Sequence, residues 1–243
     1  MKKYGLIGRN ISYSFSKKYF ADKFRSEGLA DCSYEIFDLP DLSELKTVLA
    51  DPEIRGLNVT IPYKREIQKY LDDIDPQARE IGAVNTVKVH PEGHLSGHNS
   101  DVYGFRQALA PFLEPHHERA LILGTGGASD AVAYVLKTLG IEYFFVSRQK
   151  REGRYLTYGE LTDIHVKSCP LIINATPLGT FPRVDTCPDI PYYALDERNL
   201  LFDLVYNPPE TLFLKKGRER GAAVSSGLTM LELQAEKSWE LWQ

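Results

Sequence analysis

The sequence contains little cysteine and no long hydrophobic run. Its 243 residues include three cysteines, Cys32, Cys169 and Cys187, which are odd in number and show no C-x-x-C spacing. Neither a disulfide framework nor a zinc ribbon is therefore indicated. No apolar run approaches the roughly 18 residues that a membrane-spanning helix needs. These absences favour a water-soluble protein of a reducing compartment.

Neither sign of charge dominates. Lysine and arginine number 29 against 33 aspartates and glutamates, so the net charge is −4. The chain thus lacks a global basic field that could hold nucleic acid or an anionic membrane. The apolar stretch at 4–8 is too short for the hydrophobic region of a signal peptide. We expect a cytoplasmic protein that binds neither nucleic acid nor membranes.

The chain alternates short β-like runs with helix-like runs, which predicts an α/β fold. At about 150 residues per domain, the length predicts one to two domains. Strands are predicted at 3–7, 33–37, 56–60, 84–89, 120–123, 143–146, 171–173 and 200–204. Helices are predicted at 17–27, 41–50, 62–70, 102–112, 130–139 and 227–242. Pro91, Glu92 and Gly93 predict a hairpin turn after the strand at 84–89.

A glycine-rich turn follows the strand predicted at 120–123. It reads Gly124-Thr125-Gly126-Gly127-Ala128-Ser129. A dinucleotide pyrophosphate needs backbone N–H groups at a helix N-terminus with no side chain in the way, and these glycines supply that arrangement. Ser129 stands where the strict motif has its third glycine, so a glycine-rich turn without a ligand is the alternative.

The segment after the next predicted strand is basic. It reads Ser147-Arg148-Gln149-Lys150-Arg151 and holds no acid. An NAD site usually has Asp or Glu about 20 residues after the glycines. A carboxylate there would repel a 2′-phosphate, whereas Arg148 can pair with one, so the pattern favours NADP. A solvated basic loop is the alternative.

Polar residues of four kinds stand near predicted element ends in the first half of the chain. Thr60 and Lys64 lie near the carboxyl end of the strand at 56–60, and Asn85 and Asp101 lie at other element ends. Open α/β sheets bind ligands at the carboxyl ends of their strands. Singly, each residue is typical of a cap, a turn or a surface position. Together they offer hydroxyl, ammonium, amide and carboxylate groups suited to a polyhydroxylated substrate.

A series of motifs extends over nearly the whole chain. In order they are Ser14-Phe15-Ser16, 58–64, 82–86, 99–101, 124–128, 174–179, 203–208 and Gly227-x-x-Met230-Leu231-x-x-Gln234. With these motifs the chain resembles the shikimate dehydrogenase family. The family usually continues the double serine with a proline and then a His-Asn pair, whereas this chain has Lys17, Phe20 and Ala21 there.

The resemblance implies an α/β fold with two domains and a cleft between them. An N-terminal α/β substrate-binding and catalytic domain would span 1–101 and be completed by the C-terminal helix 227–243. A Rossmann-like, doubly wound NADP-binding domain would span 102–226. The implied activity is that of an NADP-dependent oxidoreductase acting on a CH–OH group. It is the reversible reduction of 3-dehydroshikimate to shikimate in chorismate and aromatic amino acid biosynthesis.

The resemblance also assigns residues by position. Lys64 and Asp101 match the family's catalytic pair. The implied substrate ligands are Ser14, Ser16 and Tyr206 for the carboxylate, and Thr60, Asn85 and Gln234 for the ring hydroxyls. The implied NADP ligands are Gly124, Thr125, Gly126, Gly127 and Ala128 for the pyrophosphate, Ser147 and Arg148 for the adenosine end, and Leu204 and Gly227 for the nicotinamide end.

Two alternatives share this fold. One is a quinate/shikimate dehydrogenase that uses NAD or NADP, and the other is a non-catalytic NADP-responsive regulator. Ser14, Ser16 and the lack of an acid after Val146 favour shikimate and NADP over the first alternative. The presence of both Lys64 and Asp101 argues against the second.

Three histidines raise the question of a metal. His90, His94 and His98 recur every four residues, which is the spacing of metal ligands on one helix face. Pro91 and Gly93 instead predict a hairpin that would separate the three side chains, so we expect no metal. We expect a small-molecule substrate as the partner, and a monomer or a homodimer.

Overall fold

The structure, a computed structural model, describes residues 1–11 and 14–243. It divides into two compact units. The first comprises Met1–Ser100 together with Gln234–Gln243, and the second comprises Asp101–Leu233. The first unit is therefore built from two stretches of chain that are far apart in sequence.

The first unit contains one mixed sheet with helices packed against it. Its elements are β1 (Lys2–Gly8), α1 (Phe15–Ser26), β2 (Cys32–Asp38), α2 (Leu45–Leu49), β3 (Ile54–Val59), β4 (Asp73–Ile74), α3 (Pro76–Ile81), β5 (Thr86–Val89) and β6 (Leu95–His98). The strand order is β2-β1-β3-β5-β6-β4. β1 pairs in parallel with β2 and β3, whereas β5 runs antiparallel to both β3 and β6. The hairpin predicted after 84–89 is thus confirmed as the β5–β6 pair.

β1 is buried on both faces. Every residue from Tyr4 to the end of the strand is buried, which is typical of a strand covered from both sides. Because successive side chains alternate between faces, Tyr4 and Leu6 enter one core cluster and Ile7 enters another. The continuous apolar run therefore predicted this strand correctly.

The helix predicted at 62–70 forms only in its second half, and there as a 3-10 helix. The chain instead forms turns over 61–65 and a short 3-10 helix at Glu66–Tyr70. In an α-helix the Lys64 carbonyl would accept the Gln68 amide. Here it accepts the Val84 amide at 2.8 Å. A contact with a distant segment has replaced the local helical bond.

The second unit contains one parallel sheet. Its elements are α4 (Asp101–Leu109), β7 (Arg119–Leu123), α5 (Gly127–Thr138), β8 (Glu142–Ser147), β9 (Tyr155–Thr157), α6 (Asp163–Ser168), β10 (Leu171–Asn174), β11 (Leu200–Asp203), α7 (Leu212–Arg218), β12 (Ala223–Ser225) and α8 (Leu228–Trp242), whose end belongs to the first unit. Within the described residues the longest helix has 15 residues, and none combines the length and apolarity needed to cross a bilayer.

The strand order of this sheet is that of dinucleotide-binding folds. The order β12-β11-β10-β7-β8-β9, with every pairing parallel, becomes 3-2-1-4-5-6 when the strands are renumbered from β7. The chain reverses direction across the sheet between β7 and β10, and ligands of such sheets bind outside the carboxyl ends of the strands at that point. The expectation of a doubly wound, Rossmann-like domain is confirmed.

The last helix packs on the sheet of the first unit. The Trp242 ring is 5% exposed and stacks on Tyr4, with ring centroids 4.9 Å apart. Its Nε1 donates to the Val87 carbonyl at 3.0 Å. A Cβ on Gly56 would lie 2.3 Å from the indole, so only glycine leaves room for the ring. This aromatic side chain therefore fits one gap in the sheet and helps to fix the end of the helix there.

We predict that Trp242→Ala lowers the free energy of unfolding by about 3 to 5 kcal/mol, because it leaves a cavity over Gly56. Urea denaturation followed by circular dichroism measures this loss. Tyr193→Ala is the control, since it removes an aromatic ring that is 69% exposed. Equal losses in the two variants would contradict the assigned role of Trp242.

Candidate active site

Thr60 and Lys64 lie just after β3 in the first unit. The Thr60 amide donates to the Ile7 carbonyl of β1 at 2.9 Å, which holds Thr60 at the end of the strand. The side chains of Thr60 and Lys64 are partly buried. A hydroxyl and an ammonium group thus stand at the carboxyl end of a central strand, where open α/β sheets bind ligands.

Ser14 and Ser16 lie at the N-terminus of α1. Ser14 is the N-cap, and its hydroxyl accepts the Ser16 amide at 3.2 Å. The Ser16 side chain is hydrogen-bonded to Tyr34, whose pKa is raised by burial and lowered in part by that bond. Behind them Phe20 is fully buried and stacks on Tyr34, with centroids 4.5 Å apart. Phe20, which stands where the family usually has one residue of its His-Asn pair, therefore packs in the core.

Asn85 and Gln234 meet through one serine, although they are far apart in sequence. The Asn85 Nδ2 donates to Ser100 Oγ at 3.0 Å, and the Asn85 Oδ1 accepts the Ser100 amide at 2.7 Å. The Ser100 hydroxyl in turn donates to Gln234 Oε1 at 3.3 Å. Asn85 is 3% exposed and Gln234 is partly buried. Both amides are therefore held by bonds within the first unit.

Asp101 and Tyr206 belong to the second unit. Asp101 is the first residue of α4 and is 6% exposed, and an acid in the first turn interacts favourably with the helix dipole. Tyr206 follows β11 and is partly buried. The predicted site residues are thus shared between the two units, with Ser14, Ser16, Thr60, Lys64, Asn85 and Gln234 in the first.

The glycine turn joins β7 to α5. Gly124 has φ +108°, a left-handed value that favours glycine, and a Cβ there would lie 3.0 Å from the Ala175 carbonyl oxygen that follows β10. α5 begins at Gly127, three residues before the predicted start at 130, with Gly126 as an N-cap that offers no side-chain bond. Ser129 is fully buried and donates to the Gly126 carbonyl. The turn therefore presents an N-terminus whose N-cap adds no side chain.

The basic segment after β8 contains three cations in three environments. Lys150 forms an ion pair with Glu160, and that bond, with the Thr157 amide, lowers the pKa of Glu160 to about 2. The Arg151 guanidinium lies 5.7 Å from the centroid of the Tyr155 ring. Arg148 is exposed. Sequence reasoning missed Glu160, although the Thr157-x-x-Glu160 spacing of a capping box was a signal for it.

A buried carboxylate organises the ends of β10 and β11. Asp203 is fully buried, and its Oδ1 accepts from Asn174 Nδ2 and from the Val205 amide, both at 2.9 Å. Its Oδ2 accepts from Thr211 Oγ1 at 2.5 Å. Burial raises the pKa of Asp203 to about 6, although the three bonds act in the opposite direction. The motifs 174–179 and 203–208 contained this pair, but sequence alone gave it no role.

Asp203 also stands beside the predicted nicotinamide end. The Gly227 amide donates to the Val205 carbonyl at 3.1 Å. A Cβ on Gly227 would lie 2.3 Å from the Leu204 carbonyl oxygen. Leu204 and Gly227 are therefore in contact, and only glycine permits that approach.

His90 and His94 of the β5–β6 hairpin are each bonded to another side chain. The hairpin brings the rings of His90 and His94 to 5.5 Å between centroids, so the expectation that it would separate them is wrong. His90 Nε2 bonds Ser96 at 2.9 Å and His94 Nε2 bonds Asp73 at 2.8 Å. Across the described residues, no group of three or more His, Cys, Asp or Glu side chains is placed to hold a metal ion.

We predict that ionisation of Asp203 destabilises the fold between about pH 4 and pH 6. Its pKa rises from 3.8 to about 6 on folding, so the folded state binds the proton more tightly and loses stability as the pH rises through this window. Two pKa units correspond to about 3 kcal/mol. Asp203→Asn should therefore gain up to that amount relative to wild type between pH 4 and pH 7, measured by urea denaturation.

A second variant tests the ionisation of Asp203 by changing its hydrogen-bond donor. Thr211→Val removes the hydroxyl that donates to Asp203 Oδ2 and should move the midpoint of the pH transition upwards. A stability difference between Asp203→Asn and wild type that stays constant across this pH range would contradict the assignment.

Comparison with known proteins places this geometry in a family. Residues 6–87 match the family model described as shikimate dehydrogenase substrate binding domain. A relative from Clostridium beijerinckii named Shikimate dehydrogenase (NADP(+)) is 36% identical over an alignment of 255 positions, which covers 100% of this chain and 92% of the relative.

Solved structures agree over the full chain. Shikimate 5-dehydrogenase from Thermus thermophilus in complex with NADP(H) and shikimate is 32% identical, with a TM-score of 0.87 and coverage of 100% of this chain and 94% of that one. Quinate dehydrogenase from Corynebacterium glutamicum in complex with NAD is 27% identical, with a TM-score of 0.87 and coverage of 100% and 93%. The full-length similarity shows that the chain belongs to the shikimate dehydrogenase family.

Proposed function

We propose that the chain catalyses the reversible NADPH-dependent reduction of 3-dehydroshikimate to shikimate, in the biosynthesis of chorismate and the aromatic amino acids. The observation that carries the proposal is the 36% identity, over the whole chain, to a relative named as an NADP-dependent shikimate dehydrogenase. The match spans both units, so it includes the candidate catalytic pair as well as the glycine turn.

Lys64 and Asp101 would move the proton of the reaction. Hydride reduction of a ketone leaves an alkoxide that must gain a proton. NADPH supplies the hydride when bound. Lys64 would hold the proton at Nζ, pass it to the substrate oxygen and take it back in the reverse reaction, and the Asp101 carboxylate would orient the ammonium group through a charge-assisted hydrogen bond.

The remaining candidates would bind the substrate in two groups. Hydroxyls of Ser14, Ser16 and Tyr206 would donate to the substrate carboxylate. Thr60, Asn85 and Gln234 would contact the ring hydroxyls, because amide and hydroxyl groups both donate and accept hydrogen bonds. Partial or complete burial of these side chains supports this assignment, since it limits the positions each can occupy.

The glycine turn fits a dinucleotide phosphate. A Cβ on Gly126 would meet no atom within 4 Å, so glycine at this position keeps space open in front of α5 rather than relieving a clash. Gly124 to Ala128 would hold the pyrophosphate through backbone amides. Ser147 and Arg148 would hold the adenosine end, and Leu204 and Gly227 the nicotinamide end. The exposed guanidinium of Arg148 supports NADP over NAD.

A spectrophotometric assay tests the proposal directly. Purified protein is incubated with shikimate or quinate, each with NADP or NAD, and formation of the reduced cofactor is followed. We expect the highest kcat/KM with shikimate and NADP. A strong preference for quinate would favour the quinate dehydrogenase alternative, and no turnover in any combination would favour the regulator.

We further infer that the protein acts in the cytoplasm as a monomer or a homodimer. The net charge of −4 supports a small-molecule partner rather than nucleic acid. Light scattering coupled to gel filtration measures the mass, and a larger assembly would contradict this inference.

We predict that Arg148→Ala weakens NADP binding by about 1.5 to 3 kcal/mol, because the 2′-phosphate loses a charge-assisted partner. NAD binding should change little. The control is Arg151→Ala, since that guanidinium lies over Tyr155. Titration with each cofactor measures the effect, and equal losses for NADP and NAD in Arg148→Ala would refute the assignment.

We predict that Lys64→Ala lowers kcat by about 100-fold to 10,000-fold, the usual range for loss of a general acid–base group. The dissociation constant for NADP should stay near that of wild type. Lys69→Ala, which removes an exposed ammonium from the following 3-10 helix, should leave kcat unchanged. A loss confined to KM would mean that Lys64 only binds a ring hydroxyl.

We predict that Asp101→Asn also lowers kcat, because an amide can accept a hydrogen bond but cannot hold an ammonium group by charge. Steady-state kinetics with the fold checked by circular dichroism measure this effect. Near-normal turnover in both Asp101→Asn and Lys64→Ala would place the catalytic pair elsewhere.

A further inference from the structure

A buried polar cluster lies between the sheet of the first unit and the end of α8. Its members are fully or almost fully buried and carry only hydroxyl or amide groups: Tyr34, Asn58, Asn85, Thr86, Ser100 and Ser238. The Tyr34 hydroxyl donates to Asn58 Oδ1 at 2.8 Å. α8 contributes Ser238, a buried serine that belongs to none of the motifs recognised in the sequence.

Ser238 Oγ has four polar neighbours. It accepts from Asn58 Nδ2 at 2.8 Å and donates to the Gln234 carbonyl at 3.0 Å. It lies 2.9 Å from Thr86 Oγ1 and 3.0 Å from Ser100 Oγ. Asn58 Nδ2 can only donate, and Ser238 Oγ is the nearest of its three acceptors, since the Asn85 carbonyl and Thr86 Oγ1 lie at 3.4 and 3.5 Å. The Ser238 hydroxyl therefore connects α8 to the sheet at one point.

Two of these neighbours lead directly to proposed substrate ligands. Thr86 Oγ1 donates to Asn85 Oδ1 at 3.1 Å. Ser100 Oγ accepts from Asn85 Nδ2 and donates to Gln234 Oε1. Gln234 also precedes Ser238 by four residues, so the two lie on the same face of α8. The position of Gln234 relative to Asn85 thus depends on where Ser238 anchors the helix.

We infer that Ser238 is a positioning residue that sets the geometry of Asn85 and Gln234, and through them the affinity for the ring hydroxyls of the substrate. This inference rests on the proposed function, in which Asn85 and Gln234 contact those hydroxyls. Ser238 itself acts only through its neighbours. Loss of its hydroxyl leaves the buried Asn58 amide with only the longer contacts to the Asn85 carbonyl and Thr86 Oγ1. A poorly bonded buried polar group is unfavourable, so we expect Asn58 and its neighbours to shift.

Steady-state kinetics of Ser238→Ala test the inference. We expect KM for shikimate to rise about 3-fold to 10-fold, the equivalent of one hydrogen bond. We expect kcat and KM for NADP to stay within about twofold, since the proton donor and the cofactor ligands are not members of the cluster. A merely structural role would lower the melting temperature without changing KM for shikimate.

Ser26→Ala is the matched control. Ser26 is exposed on α1, and its hydroxyl also donates to a backbone carbonyl of its own helix, that of Lys23, at 2.9 Å. It should change neither KM. If Ser238→Ala does not fold, Ser238→Thr and Ser238→Val decide the question, because the two side chains have nearly the same volume and only threonine retains the hydroxyl. We expect KM for shikimate to be higher in Ser238→Val than in Ser238→Thr.

The outcomes separate the inference from the function on which it rests. Wild-type turnover of shikimate with an unchanged KM in Ser238→Ala, or with a parallel rise of both KM values, overturns the inference and leaves the proposed function intact. The same holds if Ser238→Ala does not fold and Ser238→Thr and Ser238→Val give the same KM for shikimate. No turnover of shikimate by the wild type overturns both.

Discussion

The first unit depends on the return of the last helix to a sheet formed at the beginning of the chain. Trp242 covers the gap over Gly56 and donates to Val87, while Ser238 on the same helix accepts from the buried Asn58 amide. The helix therefore supplies both the apolar cover and the polar partner that this part of the sheet lacks. Without it, apolar surface would be exposed and buried amides would lose their bonds, and both changes are unfavourable.

In the second unit, too, a buried polar group is satisfied by hydrogen bonds from distant segments, at the ends of the parallel strands. Asp203 accepts three hydrogen bonds, and these tie the segment after β10 to the segment after β11. Leu204 and Tyr206 lie in the latter segment, and Gly227 bonds to the backbone between them. In the first unit the buried Ser100 bonds Asn85 and Gln234. In the second the buried Asp203 accepts the amide of Val205, the residue between Leu204 and Tyr206. Bonds of this kind hold ligand-binding side chains in place before the ligand arrives.

The basic segment after β8 contains three cations near the proposed adenosine end, and two of them contact other side chains of the chain. Lys150 is paired with Glu160, and Arg151 lies over the Tyr155 ring. Both partners lie in β9 (Tyr155–Thr157) or just after it. Arg148 is exposed, and its planar guanidinium matches the geometry of a phosphate, which supports the proposed preference for NADP.

The sequence by itself determined the α/β class, the glycine turn, the β5–β6 hairpin and the family. Each of these is recognised from short segments whose residues are neighbours along the chain. β1 was recognisable as a continuous apolar run, and the turn at 124–129 by its glycines. Tertiary structure decided the rest. It replaced the first half of the helix predicted at 62–70, because Lys64 bonds Val84, and it joined Asn174 to Asp203 and Asn58 to Ser238, pairs separated by 29 and 180 residues. Buried polar groups need hydrogen-bond partners, and in the folded core these partners come from distant segments. A local sequence pattern therefore cannot predict them.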